Sequence, residues 1–209
     1  MKGSFQFSVF SFLRSVFSFQ RSVIQLLIYS VTLFSCQHNY VPKPGSYFRI
    51  DFPEKEYMLY DGDCPFVFEY PVYGSLETDL GRLTQSCWYN VKFPRYRGTI
   101  HLTYLKIDDN FDDFIEDNWR IIYRRIAMRA DAISPVQYVN EDVNVYGMLF
   151  DIHGDAASSV QFFVTDSVRH FLRGSLYFTV RPNADSLAPV VAFFRQDIVH
   201  LMESIEWKK

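Results

Sequence analysis

Three cysteines, Cys36, Cys64 and Cys87, carry the clearest chemistry in this sequence. A thiol can be acylated, oxidised to a disulfide or bound to a metal, and its surroundings decide between these. Cys36 follows Leu33-Phe34-Ser35 at the end of an apolar run over residues 23–35. The only charges before it are Lys2, Arg14 and Arg21. A basic stretch, an apolar stretch of signal-peptide length and a small residue at the cut make a secretion signal. A cysteine as first residue of the mature chain makes it a lipoprotein signal, with Cys36 the lipidated residue. Phe34 departs from the pattern, because a small residue usually stands two before the cysteine. The competing reading is a membrane span. Spanning takes about 20 apolar residues, whereas residues 23–35 give a shorter run interrupted by Gln25.

Export would put Cys64 and Cys87 in an oxidising compartment, where an even pair reads as a disulfide. Two buried free thiols are the alternative, since cysteine packs as a small hydrophobe. No C-x-x-C occurs and the histidines are scattered, so neither a zinc site nor another metal is expected.

The remaining candidates are weaker. Asp108, Asp109, Asn110, Asp112 and Asp113 suggest calcium, but an EF-hand loop needs Gly at its sixth position and Glu at its twelfth. The sixth here is Asp113, so capping of a helix start is the better account. Arg120, Arg124, Arg125 and Arg129 follow on the helix face away from its apolar stripe. They are a possible partner surface for phosphate headgroups or an acidic protein, although Glu116 stands four before Arg120, as in an in-helix ion pair. His101, His153, His170 and His200 share no motif. His153, Asp155 and Ser159 lie close in sequence, yet a nucleophile elbow needs G-x-S-x-G on a strand-to-helix turn. No phosphate-binding glycine loop is present either, so neither an enzyme nor a cofactor is expected.

These residues must be positioned by the elements around them. Without residues 1–35, Lys plus Arg falls from 21 to 18 against 24 acids, so the net charge moves from −3 to −6. An acidic chain does not suit sequence-independent nucleic-acid binding. Prolines 42 and 44 make residues 36–46 an extended tether, reaching at most about 30 Å. Residues 47–209 suit a single domain. Alternation and turn residues predict strands at 47–52, 66–70, 87–93 and 99–104, with a loop over 74–85. Ile115, Trp119, Ile122, Ile126, Ala130 and Ile133 recur at spacings of three and four, a helix that Pro135 would end. Further strands are expected at 137–139, 144–153, 159–165 and 170–180. A last helix, capped by Ser186, presents Val190, Phe194, Ile198, Leu201 and Ile205. Short hairpin connections imply an α+β domain, an antiparallel sheet with two main helices packed on it.

Several phrases, in fixed order, resemble one family. They are Tyr40-Val-Pro-Lys-Pro-Gly-Ser-Tyr-Phe-Arg-Ile-Asp-Phe-Pro53, Asp63-Cys-Pro-Phe-Val-Phe-Glu-Tyr-Pro71 and Cys87-Trp-Tyr-Asn-Val-Lys-Phe-Pro94. Gly98-Thr-Ile-His-Leu-Thr-Tyr104, Ala130-Asp-Ala-Ile133, Ala156-Ala-Ser-Ser-Val-Gln-Phe162 and Phe171-Leu-Arg-Gly-Ser-Leu-Tyr-Phe178 follow, and Asp185-Ser-Leu-Ala-Pro189 closes the set. Together they resemble the gliding-motility lipoprotein GldD family of Bacteroidota over essentially the whole mature chain. The resemblance implies an envelope lipoprotein of the gliding and type IX secretion machinery, without established enzymatic activity. It implies lipid on Cys36, and Cys64 and Cys87 as the family's cysteines. The order of elements is also similar in outline to the PsbP-type fold.

The expected partners are therefore a membrane, through lipid on Cys36, and other gliding or secretion proteins of the envelope, with no nucleic acid. Gln37-His38-Asn39 lacks acids, which favours an anchor facing the periplasm. The alternative function is a lipoprotein binding a small apolar or lipid ligand between sheet and helices, and a third is an unrecognised hydrolase.

Overall fold

The computed structural model describes residues 50–79, 81 and 86–208, except the side chains of 125–127. Period-2 apolar runs give the strands. In β8 (Ser158–Thr165) and β9 (His170–Phe178), Phe162 and Leu172 face one side while Phe163 and Phe171 face the other. All are nearly or fully buried, so this sheet is covered on both faces at its centre. Its order is β3-β4-β5-β9-β8-β7-β6, antiparallel throughout. The remaining strands are β3 (Ser75–Thr78), β4 (Trp88–Phe93), β5 (Gly98–Lys106), β6 (Ala130–Asn140) and β7 (Val145–Gly154). A smaller antiparallel sheet, β1-β2-β10, joins Tyr57–Tyr60, Phe66–Pro71 and Glu206–Trp207.

Each face has its own helix. Helix α2 (Ala184–Glu203) lays Val190, Phe194, Ile198 and Leu201 against Ile100, Leu102, Leu172 and Leu176, with Phe66 and Phe68 of the small sheet completing that core. Helix α1 (Phe111–Arg120) covers the opposite face, where Phe114 meets the Phe171 ring at 5.6 Å and Trp119 meets Phe150 edge-on at 5.3 Å. The fold is α+β, an antiparallel sheet with two helices.

Four details depart from the sequence reading. Residues 50–56 carry no strand, and the first strand among the described residues is β1. Ile50 and Phe52 instead pack singly against the core on the α2 side. The expected loop carries the short strand β3. The helix expected through Ile133 stops as α1, widens into a π turn at Ile121–Ile126, tightens into a 3₁₀ turn at Ala127–Arg129, and becomes β6. Ala130 and Ile133 are therefore strand residues, and Pro135 lies within a strand. It is tolerated because β6 is the sheet's edge, where an absent N–H need cost no ladder bond. Helix α2 starts before Ser186: Asn183 is its cap, accepting from the Ser186 N–H at 3.0 Å, and Asp155 accepts from the Ala184 N–H at 2.8 Å. These two acceptors hold the first turn ahead of Pro189.

Candidate functional site

Cys36, the signal segment and the tether lie outside the described residues. Cys64 and Cys87 are joined by a disulfide, with Cα atoms 5.7 Å apart. Cys64 leads into β2 and Cys87 into β4, so the bond ties the small sheet to the large one. The Tyr89 hydroxyl lies 3.2 Å from the Cys64 sulfur and 2.6 Å from the Tyr60 hydroxyl. Burial, then the bonded Tyr89, pushes the Tyr60 phenol well above its ordinary value.

The arginines fall on three successive helical turns of different pitch. Arg120 is held by Glu116 at 2.8 Å and Asp117 at 2.9 Å, which raises its already high pKa. Arg124 is exposed on the π turn, and the side chain of Arg125 is outside the described set. Arg129 closes the 3₁₀ turn and lines a cleft near the start of α2. The helical pitch changes after Arg120, so the four do not keep one regular α-helical spacing.

The acidic cluster acts as a helix entrance. Asn110 is the N-cap residue and its side chain accepts from the Asp108 N–H at 2.9 Å, with Asp112 and Asp113 in the first turn. Among the described residues no group of three or more His, Cys, Asp or Glu could hold a metal ion. No hydrogen bond links His153, Asp155 and Ser159: the Asp155 carboxylate is engaged at the start of α2. His101 bonds Asn90, His170 bonds Tyr104, and His200 bonds Glu69. Each of these three serves its own neighbourhood.

Two features were not foreseen. The first is a buried polar knot on α2. Asp197 is 1% exposed and accepts from Lys55 at 2.7 Å, Tyr57 at 2.9 Å and Tyr73 at 2.6 Å. Lys55 also donates to the Phe193 carbonyl at 2.9 Å, and its ammonium sits 3.2 Å from the Phe193 ring centre. Burial pulls the ammonium below its ordinary value, against the raising effect of Asp197. Burial, reinforced by Asp197, drives both tyrosines well up. The knot straps the N-terminal segment to α2, with Phe52 stacked on Phe193 at 4.3 Å and Tyr57 on His200 at 3.6 Å. A cue existed: Asp197 is the one acid inside the apolar stripe between Phe194 and Leu201.

The second feature is a cleft of about 480 Å³ between the ends of β7 and β8 and the first half of α2. Its walls include Ile152, Leu187 and Val191, with His153 and Ser159 beside them. Arg195 crosses it to grip Asp151 with two hydrogen bonds, of 2.7 and 2.8 Å. A second cleft of about 430 Å³ adjoins it. Sequence patterning shows which residues turn inward, but not where a helix stands away from a sheet.

Among solved structures, the chain is similar to cyanobacterial PsbP (CyanoP) from Synechocystis sp. PCC 6803, at 9% identity and a TM-score of 0.46. That match covers 78% of this chain and 98% of the other. Comparison with curated proteins returns no match. A family model described as gliding motility lipoprotein GldD matches residues 37–207, nearly all of the described fold and the segment that leads into it. The chain belongs to the gliding motility lipoprotein GldD family.

Proposed function

We propose that the protein is a lipid-anchored, non-enzymatic component of the gliding and secretion-associated envelope machinery that works by docking on other envelope proteins. In this reading residues 1–35 are removed as a signal, Cys36 carries the lipid, and residues 36–46 tether the domain 47–209 on the periplasmic side. The observation that carries it is the family match, which begins at Gln37, the residue after Cys36. The histidines and acids of the fold are engaged locally or scattered, which suits docking better than turnover.

The test is a deletion strain of a gliding member complemented with wild-type or Cys36→Ala protein. Wild type should restore colony spreading and incorporate a clickable fatty acid, and the variant should do neither. Labelling that persists in the variant would remove the lipid assignment, and spreading unaffected by deletion would remove the motility role. A second reading, a small apolar or lipid ligand held between sheet and helix, is favoured by the 480 Å³ cleft, a volume typical of ligand sites.

A further inference from the structure

The two clefts share Gly154, Ala184 and Asp185 and differ in chemistry. The first is apolar at Ile152, Leu187 and Val191, with depth left by Ala188 and Ala192 one helical turn apart. The second is polar. Across both, the acids are Asp131, Asp151, Asp155 and Asp185 and the bases are Arg129 and Arg195, so acids outnumber bases by two. Arg195 is taken up by Asp151. Asp155 accepts from Ala184. Asp131 and Asp185 are exposed, and neither carboxylate makes a hydrogen bond or ion pair among the described residues. The N-terminus of α2 contributes about half a positive charge, which offsets only part of this excess.

We propose that the double cleft receives an extended segment of an envelope partner, with a bulky apolar side chain against Leu187 and Val191 and a neighbouring Lys or Arg beside Asp131 and Asp185. The inference rests on the docking reading and narrows it to one place and one chemistry. Charge complementarity selects the occupant. An apolar small molecule or acyl chain would fill the first cleft and leave the acidic one unused, whereas adjacent residues of a peptide can meet both. Burial of the apolar side chain supplies affinity, and the carboxylates supply orientation and specificity.

The test uses the full chain in cells with a photocrosslinking amino acid in place of exposed Ala188, and mass spectrometry of the attached product. The expected product is a protein segment with Lys or Arg next to the apolar residue at the crosslink. Combining Asp131→Lys with Asp185→Lys should cut the yield at least about tenfold, while Asp112→Lys with Asp113→Lys on α1 should change it by less than about twofold. Neither pair removes the Asp155 contact at α2, and matched thermal melts confirm folding. Attachment to lipid or a small molecule, a segment without a basic residue, or equal yields from the two charge pairs each overturn the inference. If the probe captures proteins from Tyr123 or Val136 but not from Ala188, the cleft assignment fails and docking stands. Capture from none of these positions sinks both.

Discussion

Asp197 is the residue whose surroundings are most demanding. A carboxylate taken out of water needs full compensation, and it has a lysine and two tyrosine hydroxyls. Lys55→Met should destabilise the fold by about 1–3 kcal/mol, less than the loss of a partner in a fully buried pair because Lys55 keeps about 25% of its side-chain exposure. A urea titration checks this, and an unchanged midpoint would make the knot ornamental. Asp197→Leu strands the Lys55 ammonium and the Tyr57 and Tyr73 hydroxyls, and should cost at least as much as Lys55→Met if compensation is what the knot provides.

His170 gives a pH dependence. It is 8% exposed, bonds the Tyr104 hydroxyl through Nδ1 at 2.9 Å, lies parallel to Trp207 at 5.0 Å, and leaves Nε2 without a partner. Burial lowers its pKa from the ordinary 6.5, with Asp166 opposing and Arg169 adding to the fall. His101 shifts the same way, chiefly by burial. Below pH 6.5 the unfolded chain takes up these protons before the folded one. Stability is therefore full above 6.5 and is lost as pH falls through the folded values. Burial alone would raise Asp166, but three backbone N–H donors prevail and lower it, so its contribution disappears only in more acidic solution. Melting curves between pH 7.5 and 5 should slope less in His170→Phe than in wild type. Parallel slopes would contradict this assignment.

At the scale of elements, legibility followed the strength of the local pattern. The α2 stripe of Val190, Phe194, Ile198 and Leu201 was readable because its apolar residues recur at every third or fourth position along the helix. The strands of the two-sided core were readable for the same reason. The segment after Arg120 was not, since Ile122, Ile126, Ala130 and Ile133 keep helical spacing while the backbone changes pitch and then extends. Pairing with β7 decides that outcome, and pairing is a long-range property that no window of residues contains. The two clefts were illegible for a similar reason. Gly147 marks a close approach inside the sheet: a Cβ there would run into the Phe163 carbonyl oxygen of the neighbouring strand. Gly147→Ala should cost about 1–3 kcal/mol, and more than Gly174→Ala, where the obstacle is the Phe162 ring, a side chain able to shift. Equal costs, compared by thermal denaturation, would show that the sheet yields as easily as a ring.

At the scale of the molecule, α1 and α2 enclose the large sheet and the small sheet closes the α2 side; the order of strands and helices implied an antiparallel sheet with two helices packed on it, but not the second sheet. The bond between Cys64 and Cys87 joins the two sheets. Closing a loop with 23 residues of separation stabilises by about 3 kcal/mol in the chain-entropy model. Cys64→Ser with Cys87→Ser should lower the melting temperature by several degrees, at about 2–4 °C per kcal/mol for a domain of this size. Peptide mapping without reduction should recover the linked pair, and two free thiols in the exported protein would contradict the bond.

The position of that bond also sets how the domain meets mechanical load. A pull from the N-terminal side loads Phe52, Lys55 and Tyr57, which hold α2 through two stacked rings, two hydrogen bonds to Asp197 and one to the Phe193 carbonyl. If they give way, the chain can pay out only as far as Cys64, where a covalent link to Cys87 passes the force into the large sheet. The slack from residue 50 to that stop is about 50 Å at full extension. The strap yields, and the bond limits how far: a short shock absorber with a hard stop.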